Sequence, residues 1–423
     1  MKIAFGQLPL LVFLVMGLLP FCQEAYAQDT LKLSLPETEK RFLEKNLLLI
    51  ASQYNISSAE ALEIQARAYP NPVFSAEFNL IDPENKLVLH TGQSGQKVFG
   101  IDQLILLGGK RKTQIEIARK NKTIAGLEME DLLRNLKWQL HNAYYSLLQQ
   151  HSIIRNLDHQ LMLLDTIIHS YESQAARGNI AMKEVIRLKS VYLNINNSRS
   201  DQIMAQIQNT QILQVLMQEK APILPLMNDG EFNRFTQLRE LQELVTLGQS
   251  NRPDIKMAAQ TGELANLNLQ LQKQMAIPDM NLIGGYDQRG GAFQNQINIG
   301  IGIPLPVWNR NKGNIKSAEF NRKFAQSLLL QKQIEAESEI QASLSNLRQC
   351  VANYSKTISL YSTDFELVFK GINENFQKRN VSLIEFIDFF ESYNQSLIEF
   401  QRVRTQMALA AAQINYATAT SVY

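Results

Sequence analysis

Two acidic residues, Glu385 and Asp388, stand three positions apart in the segment RNVSLIEFID (379–388). On a helix that spacing puts both carboxylates on one face. On spacing alone, the pair also reads as an ordinary solvated helix face. An earlier segment, GNIAMKEVIRL (178–188), carries Glu184 and Arg187 at the same spacing with opposite charge, which predicts a helix-surface ion pair. No other constellation supports chemistry. There is no His-Glu-x-x-His segment, and Gly108-Gly109-Lys110-Arg111 lacks the spacing and the hydroxyl of a phosphate loop. His141, His151, His159 and His169 are eight or ten residues apart and share no helix face suited to one metal. No catalytic residue, metal site or cofactor is expected, and the chain is not expected to be an enzyme.

The elements that position these carboxylates are written twice. A shift of 201 aligns Asn179 with Asn380, Glu184 with Glu385, Ile186 with Ile387 and Tyr192 with Tyr393. A shift of 200 aligns Ile115 with Ile315 and Ala118 with Ala318. A shift of 206 brings PVFSAEFNLI (72–81) onto PDMNLIGGYD (278–287), and the loop Asp82 to Gln96 is longer than its counterpart Gln288 to Asn295. Three matches in one order predict a duplicated unit of about 200 residues. The first repeat is read as 28–220, with a helical segment (37–69), strands at 72–81 and 97–107, and long helices at 110–177 and 180–219. A connector at 221–250, punctuated by Pro222, Pro225 and Asp229-Gly230, leads into the second repeat at 251–423. That repeat has a helical segment (252–276), strands at 279–287 and 295–305, and long helices at 313–378 and 382–420.

Both kinds of element are legible from periodicity. Ile340, Leu344, Leu347, Val351, Tyr354, Ile358, Tyr361, Phe365, Val368 and Ile372 alternate steps of four and three, a coiled-coil seam. Leu157, Leu161, Leu164, Ile168 and Tyr171 repeat it in the first copy. No proline occurs from 110 to 219 or from 307 to 423, as uninterrupted helices require. A helix over 110–177 would be on the order of 100 Å long and must pack along its own kind. In INIGIGIPL (297–305) every odd position is Ile or Leu and every even one Asn, Gly or Pro. Phe74, Ala76, Phe78 and Leu80 alternate similarly with Ser75, Glu77 and Asn79. Short strands with one apolar and one polar or small face fit an outer-membrane barrel, and equally an amphipathic sheet on a soluble core. In lipid, four strands per chain cannot close a barrel, so several copies must pool theirs, and three would supply twelve.

The first 27 residues read as a secretory signal peptide: Lys2, then the apolar run Leu8 to Phe21, then Ala25-Tyr26-Ala27 as the cleavage site. Leu19-Pro20-Phe21 lacks the small residue expected before a lipidated cysteine, so Cys22 is not expected to carry lipid. Cys350 would then be the sole thiol, which excludes an intramolecular disulfide. A composition of 45% hydrophobic and 19% charged residues with a net charge of +2 is globular and offers no basic excess for nucleic acid. Past residue 28 no apolar stretch is long enough for a membrane helix.

AYPNP (68–72), LLGGKRKTQIEIA (106–118), NRPDI (251–255) and IPLPVWNRNKGNI (303–315), in this order and with the duplication, resemble the TolC-like outer-membrane efflux protein family over nearly the whole mature chain. The phrasing at 303–315 looks most like the heavy-metal branch, the CzcC-like channels of cation efflux systems. The resemblance implies a mostly α fold with a small β part: a homotrimer whose long helices form an α-barrel with an equatorial collar, and whose strands form a twelve-stranded β-barrel. It also implies a place in the outer membrane with a long periplasmic portion, and a periplasmic adaptor and an inner-membrane pump as partners. Carried over from the family, Glu385 and Asp388 occupy the acidic positions that form rings at the periplasmic entrance, where rings of negative charge favour cations. Glu385 departs from the shorter aspartate of other members. The implied function is a passive export conduit, with metal cations as the candidate cargo. A type I protein-secretion channel and a periplasmic adaptor are the competing readings.

Overall fold

The computed structural model describes residues 30–423 apart from 291 and 361–363. The signal-peptide reading, with Cys22, and Tyr361 of the seam lie outside the described residues. The chain runs β1 (Leu31–Leu33), α1 (Leu35–Lys45), α2 (Leu47–Arg67), β2 (Val73–Phe78), β3 (Ile81–Asp82), β4 (Leu87–Val88), β5 (Gln96–Ile105), α3 (Lys110–Ala176) and α4 (Met182–Met217). It continues through β6 (Ile223–Pro225), a 3-10 helix (Asp229–Thr236), α5 (Leu241–Asn251), α6 (Pro253–Met275), β7 (Met280–Arg289), β8 (Phe293–Gly302), α7 (Lys312–Leu360), α8 (Asp364–Gln377) and α9 (Leu383–Thr418). The fold is mostly helical with a small β part.

Several boundaries differ from the expected ones for identifiable reasons. The helical segment expected over 37–69 breaks at Asn46, whose side-chain oxygen accepts from the Leu48 and Leu49 N–H groups at 3.0 and 3.1 Å while its amide donates to Leu216 O at 2.9 Å. One residue thus caps α2 and ties it to the end of α4. The strand expected over 72–81 leaves the main sheet at Phe78, and Ile81–Asp82 pairs instead with Leu87–Val88 in a separate hairpin. The strand expected over 295–305 stops at Gly302, since Pro304 and Pro306 have no N–H to give to a ladder. The connector holds β6, which pairs in parallel with β1 across 192 residues of sequence (Leu31 opposite Ile223) and so joins the chain's first described strand to the connector.

One antiparallel sheet of order β2-β5-β7-β8 takes two strands from each half of the chain. Its register puts Phe74 and Phe78 of β2, Phe99 and Ile101 of β5, Leu282 and Tyr286 of β7, and Ile297, Ile299 and Ile301 of β8 on one face. Phe99 contacts Phe74, Phe78 and Tyr286 at ring distances of 6.3, 5.7 and 6.1 Å. The other face mixes Ser75, Glu77, Asp102, Asn281, Asp287 and Asn298 with glycines and a few aliphatic residues. It is closely packed between β2 and β5, where a Cβ on Gly100 would come within 2.5 Å of Ser75 Oγ. All six residues of β2 are exposed, as are Ile297 and Ile299 of β8, at 80% and 84%.

The strand-to-helix junction is built on Gly108 and Gly109, whose φ values of 69° and 79° favour glycine. A Cβ at Gly108 would also meet Ile277 Cδ1 at 2.8 Å. Beside it the buried Lys110 ammonium donates to Asp279 Oδ1 and Ile277 O, both at 2.7 Å, and Asp279 also accepts from Leu107 N–H at 2.9 Å. Below this junction α3 lies along α2, α4, α6 and α9, and α7 lies along α6 and α9.

The helices enclose two separate cores. An equatorial core gathers Leu140, Tyr144 and Leu147 of α3 with Phe232, Phe235 and the alanine-rich end of α9. A distal core gathers Leu157, Leu161 and Leu164 of α3 with Phe376, Phe386 and Phe390. The seam of the second copy is buried at Ile340, Leu344, Leu347 and Tyr354, but Ile358 and Val368 are exposed. The equatorial end is clamped by the arginine of the NRPDI segment. Arg252 binds Asp254 through two bonds (3.0 and 2.8 Å), Glu339 at 2.6 Å and Ala417 O at 3.1 Å, joining α6, α7 and α9. No helix of the described residues is long and apolar enough to cross a membrane.

Candidate functional site

The acidic pair sits where α8 turns into α9. The α8 end closes through Arg379, which has a positive φ of 64°, with Asn380 N–H donating to Asn375 O at 2.9 Å and the Asn380 amide to Asn375 Oδ1 at 3.2 Å. The α3–α4 turn repeats each feature. Gly178 has a φ of 75°, Asn179 N–H donates to Gln174 O at 3.0 Å, and the Asn179 amide to Gln174 Oε1 at 2.8 Å. In the first copy glycine adopts the left-handed conformation without a Cβ penalty, and in the second an arginine bears it.

The two turns part company two residues further on. Ser382 caps α9 in a reciprocal box: Glu385 Oε2 accepts from Ser382 N–H at 2.9 Å and from the Ser382 hydroxyl at 2.8 Å, while Glu385 N–H donates to Ser382 Oγ at 3.3 Å. The Ser382 backbone N–H, and after it the hydroxyl, hold the Glu385 carboxyl below its ordinary value. The corresponding N-cap of α4 is Ala181, which has no side-chain acceptor, so Glu184 has no box to join. Sequence reading placed Glu385 on a helix face and missed this cap, although Ser382 followed three residues later by Glu385 was its visible signature.

Glu385 and Asp388 are both exposed, on the side of α9 opposite the buried Phe386, Ile387 and Phe390. The structure therefore brings the two carboxylates to one accessible face beside the turn. Glu184 and Arg187 behave differently from expectation: among the described residues no ion pair joins them. Both instead line, with Lys183, Ser382, Leu383 and Ile384, a cleft of about 550 Å³ between the two turns. An exposed i, i+3 pair gains little from closing in water, and each side chain has room to point into the cleft.

Beneath the turns runs a column of rings. Tyr171 stacks on Phe376 at 5.8 Å, Phe376 on Phe386 at 4.2 Å, Phe386 meets Phe390 at 5.5 Å, and Phe369 stacks on Tyr393 at 4.2 Å. This column ties α3 to α8 and α9 and fixes the backbone that carries Glu385. Burial, aided by Glu184 and opposed by Arg379, pushes the Tyr171 hydroxyl up, so it stays neutral under ordinary conditions.

The histidines are dispersed. His141 contacts Glu39 at 2.6 Å, His151 lies 3.1 Å from the Gln206 amide, and His169 faces Asp165 O at 2.8 Å. Among the described residues no group of three or more His, Cys, Asp or Glu is placed to hold a metal. In the long loop before β5 the structure adds a chain that sequence reading did not anticipate: Asp82 Oδ2 to His90 Nδ1 at 2.7 Å, and His90 Nε2 to Ser94 Oγ at 3.1 Å. Asp82 also accepts from the Glu84 and Asn85 N–H groups and the Asn85 amide, so its carboxylate is saturated by bonds that staple the β3–β4 hairpin.

Residues 244–355 match the family described as outer membrane efflux protein. The cobalt-zinc-cadmium resistance protein CzcC of Cupriavidus metallidurans is 20% identical over 375 residues, covering 88% of this chain and 86% of that protein. Among solved structures, CusC superposes with a TM-score of 0.73 at 17% identity, covering 91% of each chain. The CmeC outer membrane channel of Campylobacter jejuni superposes at 0.75 with 15% identity, covering 92% of this chain and 86% of that one. The open-state MtrE outer membrane channel of Neisseria gonorrhoeae gives 0.68 at 15% identity, with 92% and 89% covered. The family match over residues 244–355, a relative aligned along most of both sequences and the shared architecture point the same way: the chain is similar to the TolC-like outer-membrane efflux proteins and has the fold of their channels.

Proposed function

We propose that this protein is the outer-membrane channel subunit of a tripartite efflux system, a passive duct from periplasm to exterior through which metal cations leave. The four-stranded sheet carries the reading. Its apolar face is uncovered, and β2 and β8 each have one unpaired edge. Unpaired ladder groups are intolerable in lipid, and four strands enclose no pore. Three copies joined β8 to β2 would make a closed barrel of twelve strands, apolar outside, with Glu77, Asp102 and Asp287 facing in. Exposed apolar residues on the helices, among them Phe320, Phe324 and Ile334 of α7 and Ile207 and Val215 of α4, would be covered between copies in the helical tube.

At the far end of that tube, Glu385 and Asp388 of three copies would supply two rings of negative charge around the entrance. A periplasmic adaptor would meet the turns there, and an inner-membrane pump would supply the energy. Metal cargo follows from the acidic entrance and from the name of the relative, a cobalt-zinc-cadmium resistance protein.

Planar-bilayer recording tests this reading. The purified protein should insert as a heat-modifiable trimer with cation-selective conductance, and the Glu385→Ala/Asp388→Ala double variant should lose much of that selectivity. A water-soluble monomer without conductance would end the channel reading; unchanged selectivity in the double variant would end the site assignment alone.

A further inference from the structure

The loop between β2 and β5 is built inside out. Its hairpin exposes Leu80, Ile81, Val88 and Leu89, by 64%, 67%, 73% and 57%. Ile81 faces Val88 across the β3–β4 ladder, and Leu89 N–H donates to Leu80 O at 2.9 Å, so the four residues form one apolar stem. The tip of the hairpin, Pro83-Glu84-Asn85-Lys86, is polar and exposed. What the loop buries is polar as well: Asp82, His90 and, beneath them on β7, Gln288.

Those buried groups are engaged with one another and with the backbone. Asp82 accepts from the Glu84 and Asn85 N–H groups at 3.1 Å and from the Asn85 amide at 2.9 Å, and His90 lies between Asp82 Oδ2 and Ser94 Oγ. The Gln288 amide donates to Gly92 O at 2.8 Å and Gln93 O at 3.1 Å, and its Oε1 accepts from the Tyr286 hydroxyl at 3.2 Å. Water favours the opposite arrangement, and a two-residue ladder has little stability there by itself. An apolar medium favours this one, because there polar groups must be satisfied internally while aliphatic side chains can face outward.

The position of the loop names that medium. Lys97 pairs with Gln288 and Phe99 with Tyr286, so Gln288 lies on the apolar face of the sheet. Through Gln288, and through Gly290 N–H donating to Gly95 O at 3.1 Å, the segment after the hairpin rests on β7. It leans over its own sheet, away from the β2 edge where a neighbouring copy would join. Phe78, itself exposed on the apolar face, leads directly into Leu80. The stem therefore continues the apolar band at the end of the sheet away from the helices.

We propose, resting on the channel reading above, that the hairpin stem, Leu80 and Ile81 with Val88 and Leu89, is a lipid-binding element immersed among the acyl chains of the outer leaflet, with the tip 83–86 at headgroup level. The Asp82–His90–Ser94 chain and Gln288 are the polar core that allows a loop to enter lipid without unsatisfied groups.

Spin labels placed singly at Val88→Cys, Ile81→Cys, Lys86→Cys and Ile299→Cys, in a Cys22→Ser/Cys350→Ser background, read the depth of each position in phosphatidylethanolamine–phosphatidylglycerol vesicles. Oxygen concentrates in acyl chains and a nickel chelate stays in water. The ratio of oxygen to nickel collision at Val88 and Ile81 should exceed that at Lys86 roughly fivefold or more. Two stem positions keep the reading should one label prevent folding, and Ile299 of β8 reports on the barrel itself. A lipid-like signal at Ile299 with water-like signals at Val88 and Ile81 overturns the immersed stem and spares the channel. Shielding of Val88 and Ile81 from both reagents assigns the stem to a protein surface, a second copy included, and overturns the proposal as well. Water-like signals at all four positions overturn both readings.

Discussion

Replacing Phe386 by alanine tests whether the ring column, and not the helix face alone, positions the Glu385 and Asp388 carboxylates. Phe386 is 1% exposed and lies 4.2 Å from Phe376 and 5.5 Å from Phe390. Burying an aromatic side chain removes about 200 Å² from water, worth at most about 5 kcal/mol at ~25 cal/mol per Å². Truncations of this kind cost about 3–5 kcal/mol, to which stacking contributes about 1 kcal/mol. Phe386→Leu keeps most of the volume and should cost roughly 1.5 kcal/mol, mainly the lost stacking.

Because Phe386 belongs to the distal core and not to the equatorial one, the loss should appear as local opening of the turn. Hydrogen exchange followed by mass spectrometry on the assembled protein reads this directly. Amides of 376–390 should exchange roughly two to three and a half orders of magnitude faster in Phe386→Ala, at ~1.4 kcal/mol per decade, and about one order faster in Phe386→Leu. Amides of α5 and the 3-10 helix should be unchanged. Cation selectivity should fall in the alanine variant although both carboxylates are present. Unaltered protection at 376–390 would refute the assignment of this column as the support of the site.

Three further outcomes follow from the geometry. Arg252→Ala takes the two-bond fork from the half-buried carboxylate of Asp254, leaving it Arg134 at 3.6 Å, and removes the partner of Glu339, so it should destabilise the protein by about 1.5–3 kcal/mol in denaturant titration; Arg252→Lys should rescue little, since an ammonium cannot reproduce the fork on Asp254. Ser382→Ala should leave Glu385 in place but remove one of the two donors that hold its carboxyl low. Because the charged form is present only above the folded value, cation selectivity, which fades as pH falls through that value, should fade at a higher pH in the variant, measured by reversal potentials across an acid series. Asp279→Ala should leave the Lys110 ammonium at the barrel–helix junction with a single carbonyl partner and cost about 1–3 kcal/mol; a melting temperature within 1 °C or so of the unaltered protein would refute the clamp.

Much of this architecture is written locally. The 3.5-residue seam, the absence of proline and the alternating Ile-Asn-Ile-Gly run specify long helices and two-faced strands through interactions a few residues apart, so their type and approximate extent are legible in the chain. The duplication orders them, and the i, i+3 spacing of Glu385 and Asp388 makes a shared face inevitable once a helix forms. What sequence alone left open depends on partners distant in the chain. Ser382 and Glu385 advertise a cap, but only the fold shows the Glu385 carboxylate engaged in it while Ala181 leaves Glu184 outside any such box. Glu184 and Arg187 have the right spacing for an ion pair, yet a cleft opens between the turns and solvation wins. The parallel joining of Leu31 to Ile223, the Lys110–Asp279 clamp and the column from Tyr171 to Phe386 bring together residues about 170 to 215 positions apart. No local periodicity encodes such contacts, because their energy comes from burial and charge pairing that exist only after the two halves have docked.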